Sequence, residues 1–131
     1  MKPTELRIGN VFIDNLTKNA LLVIGITQDE INFFNPKGEK LPDGWQAKPI
    51  PLTESILLQC GFEHDKDSNE FTIETNVFTI IKLRLGVDLR ERFEFMSHDF
   101  NPNLDYLHQL QNLYFALVGK ELPIDINTLK I

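Results

Sequence analysis

One cysteine in 131 residues, Cys60, leaves no internal disulfide possible and excludes every cysteine-rich zinc module. Long apolar runs are missing as well. The segment at residues 20–26 falls far short of the roughly 18 residues that a transmembrane helix needs. The opening Met-Lys-Pro-Thr-Glu-Leu-Arg holds no apolar stretch of the kind found in secretory signals. The expectation is a cytoplasmic chain without a membrane partner. Positive charge is scarce: 13 Lys plus Arg against 19 Asp plus Glu give a net charge of -6. Such a surface repels nucleic acid at long range, so nonspecific nucleic-acid binding is not expected. There is no internal repeat, no low-complexity segment, no Gly-x-Ser-x-Gly, no His-Glu-x-x-His and no phosphate-cradling glycine loop. What is present, 42% hydrophobic and 24% charged residues, fits one globular domain over residues 1–131 that needs neither metal nor cofactor to hold its core.

The first 36 residues read as a β unit. Leu6, Ile8, Val11 and Ile13 flank Gly9-Asn10, a polar stretch follows, and then come the apolar run at 20–26 and a third segment at 30–35 that ends at Asn35-Pro36-Lys37-Gly38. Short consecutive strands with internal glycine suit a small meander or a partly closed SH3-like barrel. Residues 37–51 read as a long loop around Trp45, whose ring either packs as a lid on the core, the favoured reading, or stands out as a binding anchor. From residue 52 onward the pattern gives a helix, a β-meander, a second helix and a tail. Thr53 is placed to cap a short helix that Gly61 ends, with Phe62 as its apolar stop.

Residues 70–74 alternate with Phe71 and Ile73 inward, and 77–85 and 89–96 form two more strands around Gly86. A three-residue turn at Gly86-Val87-Asp88 would set Ile81 opposite Phe93 and Leu85 opposite Leu89. Asn103 can cap the last helix, with Leu104, Leu107, Leu110, Tyr114 and Leu117 as its buried stripe and Gly119 as its end. The tail after Pro123 carries Ile124, Ile126, Leu129 and Ile131 and is expected to add a strand to its own sheet, the favoured reading, or to a partner's edge. The fold class is therefore α+β: an antiparallel β-rich domain with a short middle helix and a C-terminal helix packed on the sheet.

Three stretches, Glu5-Leu-Arg-Ile-Gly-Asn10, Ile50-Pro-Leu-Thr-Glu-Ser-Ile-Leu-Leu-Gln-Cys-Gly-Phe62 and residues 106–122, resemble in order and spacing a family of small uncharacterised proteins of Bacteroidota and their phages and mobile elements. That family often has Glu-Trp where this chain has Ser55-Ile56. The resemblance implies a genomic setting and an accessory role, with no activity or cofactor attached.

The side chains that invite chemistry are few. His98, Asp99, Asp105 and His108 could supply imidazoles and carboxylates to a metal-dependent hydrolase, but their spacing matches no zinc signature, so no metal is expected. Cys60 sits among leucines, where a thiol is inert. A cationic face is less ordinary. In the turn register above, Arg84 faces Arg90 and Lys82 faces Arg92, and like charges directly opposite destabilise a strand pair. Either Glu70, Glu74, Glu91 or Glu94 compensates, or the face binds an anion or nucleotide. Gln109 and Asn112 add amides on the last helix that suit a protein partner. The sequence thus points to a non-enzymatic accessory protein that binds a macromolecule, with an anion- or nucleotide-binding module as the alternative.

Overall fold

The computed structural model describes residues 5–67, 70–74, 80–84, 93–95, 98–100 and 105–131. Its elements are β1 (Val11–Asp14), β2 (Ala20–Ile26), β3 (Ile31–Phe34), β4 (Ala47–Lys48), α1 (Glu54–Gln59), β5 (Glu63–Asp65), β6 (Glu70–Glu74), β7 (Ile80–Arg84), β8 (Phe93–Phe95), β9 (His98–Phe100) and α2 (Leu107–Val118). The strands form one sheet in the order β3-β2-β1-β4 and another in the order β5-β6-β7-β8-β9, antiparallel throughout. This is the α+β, β-rich architecture that the sequence predicts, with the β-structure curled as a half-barrel. No helix among the described residues is long and apolar enough to cross a membrane.

Both faces of β1 are used. Val11 and Ile13 lie across from Leu22 and Ala20 and pack on the main core, while Phe12, across from Leu21, turns the other way into a smaller cluster with Leu6 and Val23. The main core joins the two sheets and both helices, because Val11, Leu57, Phe71, Leu107 and Leu110 all belong to it. Phe71 and Ile73 point inward as their alternation requires.

Helix α1 shows both of its sequence signals at work. The Thr53 hydroxyl accepts from the Ile56 N–H at 3.2 Å, satisfying one of the open donors at the helix start. At the other end Gly61 takes φ +92°, which a side chain would strain, and the chain closes with Phe62 N–H donating to Leu57 C=O and Gly61 N–H to Leu58 C=O, both at 3.1 Å. Phe62 and Leu57 are both buried in the same cluster, supplying the apolar contact that accompanies this stop.

Helix α2 is bolted to the N-terminal segment by amides. Gln111 is 3% exposed; its Oε1 accepts from Val11 N–H at 2.9 Å and its Nε2 donates to Gly9 C=O at 3.0 Å. Asn112 accepts from the fully buried Asn10 amide at 2.8 Å and donates to Glu5 C=O at 3.1 Å. Nearby, the Arg7 guanidinium pairs with Glu121 and lies 4.0 Å above the centre of the Phe115 ring.

Several elements differ from expectation. The predicted loop 37–51 contains β4, which pairs with β1 by setting Lys48 opposite Ile13 and Ala47 opposite Asp14. The acidic stretch after Phe62 contains β5, held in part by the His64 ring stacked 4.3 Å from that of its cross-strand neighbour Phe71; the imidazole takes the place an apolar side chain would fill. β9 is a further strand where the sequence shows only a lead-in to the helix. Helix α2 starts at Leu107, not at residue 104, because Tyr106 is extended and bridges to Pro51, and Leu107 N–H donates to Ile50 C=O at 2.8 Å. Gln109 then caps the helix, its Oε1 accepting from the N–H groups of Asp105 and Tyr106. The expected cap Asn103 lies outside the described residues.

The tail forms no strand. Ile124, Ile126 and Leu129 pack on the main core, and the Gln59 side chain clasps the backbone of Lys130, accepting from its N–H and donating to its C=O at 2.7 Å each. A side-chain amide thus replaces the strand partner that the tail was expected to find in the sheet.

Candidate functional site

The predicted cationic face is built differently from the expectation. β7 and β8 pair with Ile81 opposite Phe95, not Phe93, a two-residue slip that keeps every residue on its face but brings Glu94 opposite Lys82. On the other side of β7, Glu70 lies opposite Arg84 and Thr72 opposite Lys82. Lys82 thus has Glu94 as its register partner on β8 in place of the expected Arg92, and Arg84 has Glu70 as its register partner on β6. Arg90, Arg92 and the predicted turn at Gly86-Val87-Asp88 lie outside the described residues.

The other candidates are occupied internally. Gln109 is the cap of α2, and Asn112 is the bolt to Asn10 and Glu5. Trp45 is 37% exposed and meets Phe33 edge-on at 6.1 Å, so its ring serves as a lid on the smaller core cluster. Cys60 is fully buried, and burial pushes its thiol up to about 12, far from the thiolate that a nucleophile needs.

Of the residues considered for a metal, His98 and Asp99 fall in β9, Asp105 precedes α2, and His108 is in α2. No group of three or more His, Cys, Asp or Glu side chains able to hold a metal occurs among the described residues. His108 lies buried in the core. The ring is 6% exposed, stacks on Phe12 at 4.9 Å and on Tyr106 at 6.0 Å, and its Nδ1 is buried with no hydrogen-bond partner among the described residues.

Burial lowers the His108 pKa below its ordinary 6.5, against a smaller upward pull from Glu5. The folded state thus binds this proton less readily than the unfolded chain, so His108 makes stability fall as pH drops below about 6.5 and adds no pH dependence above it. His108→Phe keeps the stacking and removes the orphaned nitrogen. We expect stability at pH 7 within about 1 kcal/mol of the parent and a shallower loss in acid, measured by urea unfolding at a series of pH values. Equal acid slopes in the two proteins would show that His108 does not carry this dependence.

A site that sequence reading missed lies where the tail crosses the first sheet. A cleft of about 380 Å³ is lined by Lys18 and Asn19 from the β1–β2 connection, Ala20 at the start of β2, Pro36 and Lys37 after β3, and residues 126–130 of the tail. Three of the lining residues are lysines, Lys18, Lys37 and Lys130, from segments far apart in the chain. None of them makes an ion pair among the described residues, in a protein whose acids outnumber its bases.

The local backbone explains how Lys18 reaches this cleft. The Asp14 carboxylate accepts from the Thr17 hydroxyl at 2.6 Å and from its N–H at 2.8 Å, and Lys18 N–H donates to Asp14 C=O at 2.9 Å. Burial pushes the Asp14 carboxyl up, but hydrogen bonds from Thr17 and from the backbone of Leu16 and Gln46 together outweigh it and hold the group below its ordinary 3.8. Asp14 stays ionised and keeps the turn closed. The turn forces Lys18 to φ +62°, a left-handed conformation that glycine or asparagine would adopt more easily. The signals legible in sequence were only the turn at residues 35–38 and the polar stretch after β1; neither says that they meet the tail.

Comparison of the chain with protein-family models, with curated proteins and with solved structures finds no match in any of the three.

Proposed function

We propose that this protein acts by binding, without catalysis, a partner that presents an anionic group to the cleft between Lys18, Lys37 and Lys130. The observation that carries this reading is that three lysines, with no ion pair among the described residues, line one cleft of an acidic chain. Such charges repel one another and are more stable with a counter-charge between them. The inert Cys60 thiol supports binding over nucleophilic chemistry. An accessory, cytoplasmic role in the mobile-element setting belongs to the same proposal. A second reading is a protein partner with an acidic surface, favoured by Phe34, which is 49% exposed two residues before Pro36 at the cleft wall.

Charge removal tests the site. Lys37→Gln and Lys130→Gln remove an ammonium from exposed positions, and Lys18→Gly does so while relieving the left-handed backbone, so that variant loses charge without losing stability. Each is expected to weaken inorganic phosphate binding by about two- to fivefold, and the triple variant by about tenfold or more. The readouts are calorimetry and thermal unfolding, where phosphate at about one hundred times its Kd adds about 2.7 kcal/mol to the parent protein. A triple variant that binds phosphate as the parent does removes the cleft from consideration.

A further inference from the structure

We infer that the occupant of the lysine cleft is a small phosphate monoester with an apolar body, held between the first sheet and the tail; this rests on the anion-binding reading above. Size is the first constraint. About 380 Å³ admits a small molecule and leaves no room for a folded segment of a partner inside the cavity.

The charge pattern narrows the head group. All three cations lining the cleft are lysines, compact point charges that suit a phosphate approached from several sides. No arginine lines it, so the planar fork that matches a carboxylate is missing from the described lining. Asn19, only 8% exposed, adds a rigid amide-bearing residue at the wall.

The walls between the charges specify the rest of the ligand. Ala20, Pro36, Ile126 and Leu129 line the same cleft, so a bare oxyanion would leave apolar wall uncovered, whereas an ester with a hydrocarbon body covers it. The overall charge of -6 acts against a polyanion, which would feel the acidic surface well beyond the cleft, but acts only weakly on a dianion that the three lysines neutralise. The tail wall is held in place rather than loose, since Gln59 clasps Lys130 through two hydrogen bonds of 2.7 Å and Leu129 packs on the core.

The test is calorimetry on the full chain with inorganic phosphate, phenyl phosphate, benzoate, a phosphotyrosine peptide and a single-stranded oligonucleotide. Phenyl phosphate is expected to bind about tenfold more tightly than inorganic phosphate, by covering apolar wall, and more tightly than benzoate. Lys37→Gln is expected to weaken it, and the oligonucleotide to bind least. Phenyl phosphate no tighter than inorganic phosphate, or no tighter than benzoate, overturns the inference while leaving anion binding in place. So does a peptide or oligonucleotide that binds more tightly than phenyl phosphate, since the occupant would then be a macromolecule. If no anion binds at all, the function proposed above fails together with it.

Discussion

Gln111→Leu is expected to destabilise the protein by about 2–4 kcal/mol, because it strands two buried backbone groups at once. The Gln111 amide is the partner of Val11 N–H and of Gly9 C=O, and the residue is 3% exposed. Val11 lies at the start of β1, where α2 packs, so water cannot take over the bonds without parting the helix from the strand. Leucine nearly matches glutamine in volume, which separates the loss of hydrogen bonds from the loss of packing. Gln111→Glu would retain an acceptor for Val11 but lose the donor to Gly9 and bury a charge, and is expected to be at least as damaging. Urea unfolding followed by circular dichroism gives the values; a loss under about 0.5 kcal/mol for Gln111→Leu would mean that the amide does not hold α2 to β1.

Phe12→Ala is expected to cost about 3–5 kcal/mol, the largest effect of any single truncation proposed for this chain. Phe12 is fully buried and meets Phe33 edge-on at 5.7 Å, with His108 stacked on it at 4.9 Å. It therefore joins the smaller core cluster to helix α2, and removing its ring opens a cavity with a stranded imidazole on one wall. Phe33→Ala, at a half-buried position lidded by Trp45, is expected to cost about half as much, since that site can collapse onto the Trp ring. Equal losses for the two truncations in denaturant unfolding would show that Phe12 has no bridging role.

Local chemistry explains which elements are legible in the sequence. Thr53, Gly61 and Phe62 mark both ends of α1 because capping is decided within a few residues of chain. The inward pair Phe71 and Ile73 follows from period-two alternation, and Leu107, Leu110 and Tyr114 from helical spacing. Elements held by distant partners were not legible. β4 depends on β1 more than thirty positions earlier, β5 on an imidazole stacked across the ladder, and the start of α2 on Pro51. The slip of Ile81 from Phe93 to Phe95 preserves facing polarity, so hydrophobic pattern alone could not distinguish the two registers.

The same division runs through the candidate site. Sequence alone determined that the chain has no internal disulfide, an acidic balance, an α+β order of elements and a lone cysteine set among leucines, since each of these depends on composition or on neighbours within a turn. Only the tertiary structure decided which residues become register partners and neighbours. It set Glu94 and Glu70 opposite the β7 cations that were expected to face other cations, and it spent Gln109 and Asn112 inside the fold. It also brought Lys18, Lys37 and Lys130 to one cleft by laying the tail across the first sheet. The reason is physical: electrostatic and hydrogen-bond energies depend on distances of a few ångströms between groups, and for residues far apart along the chain those distances are set by packing of the common core.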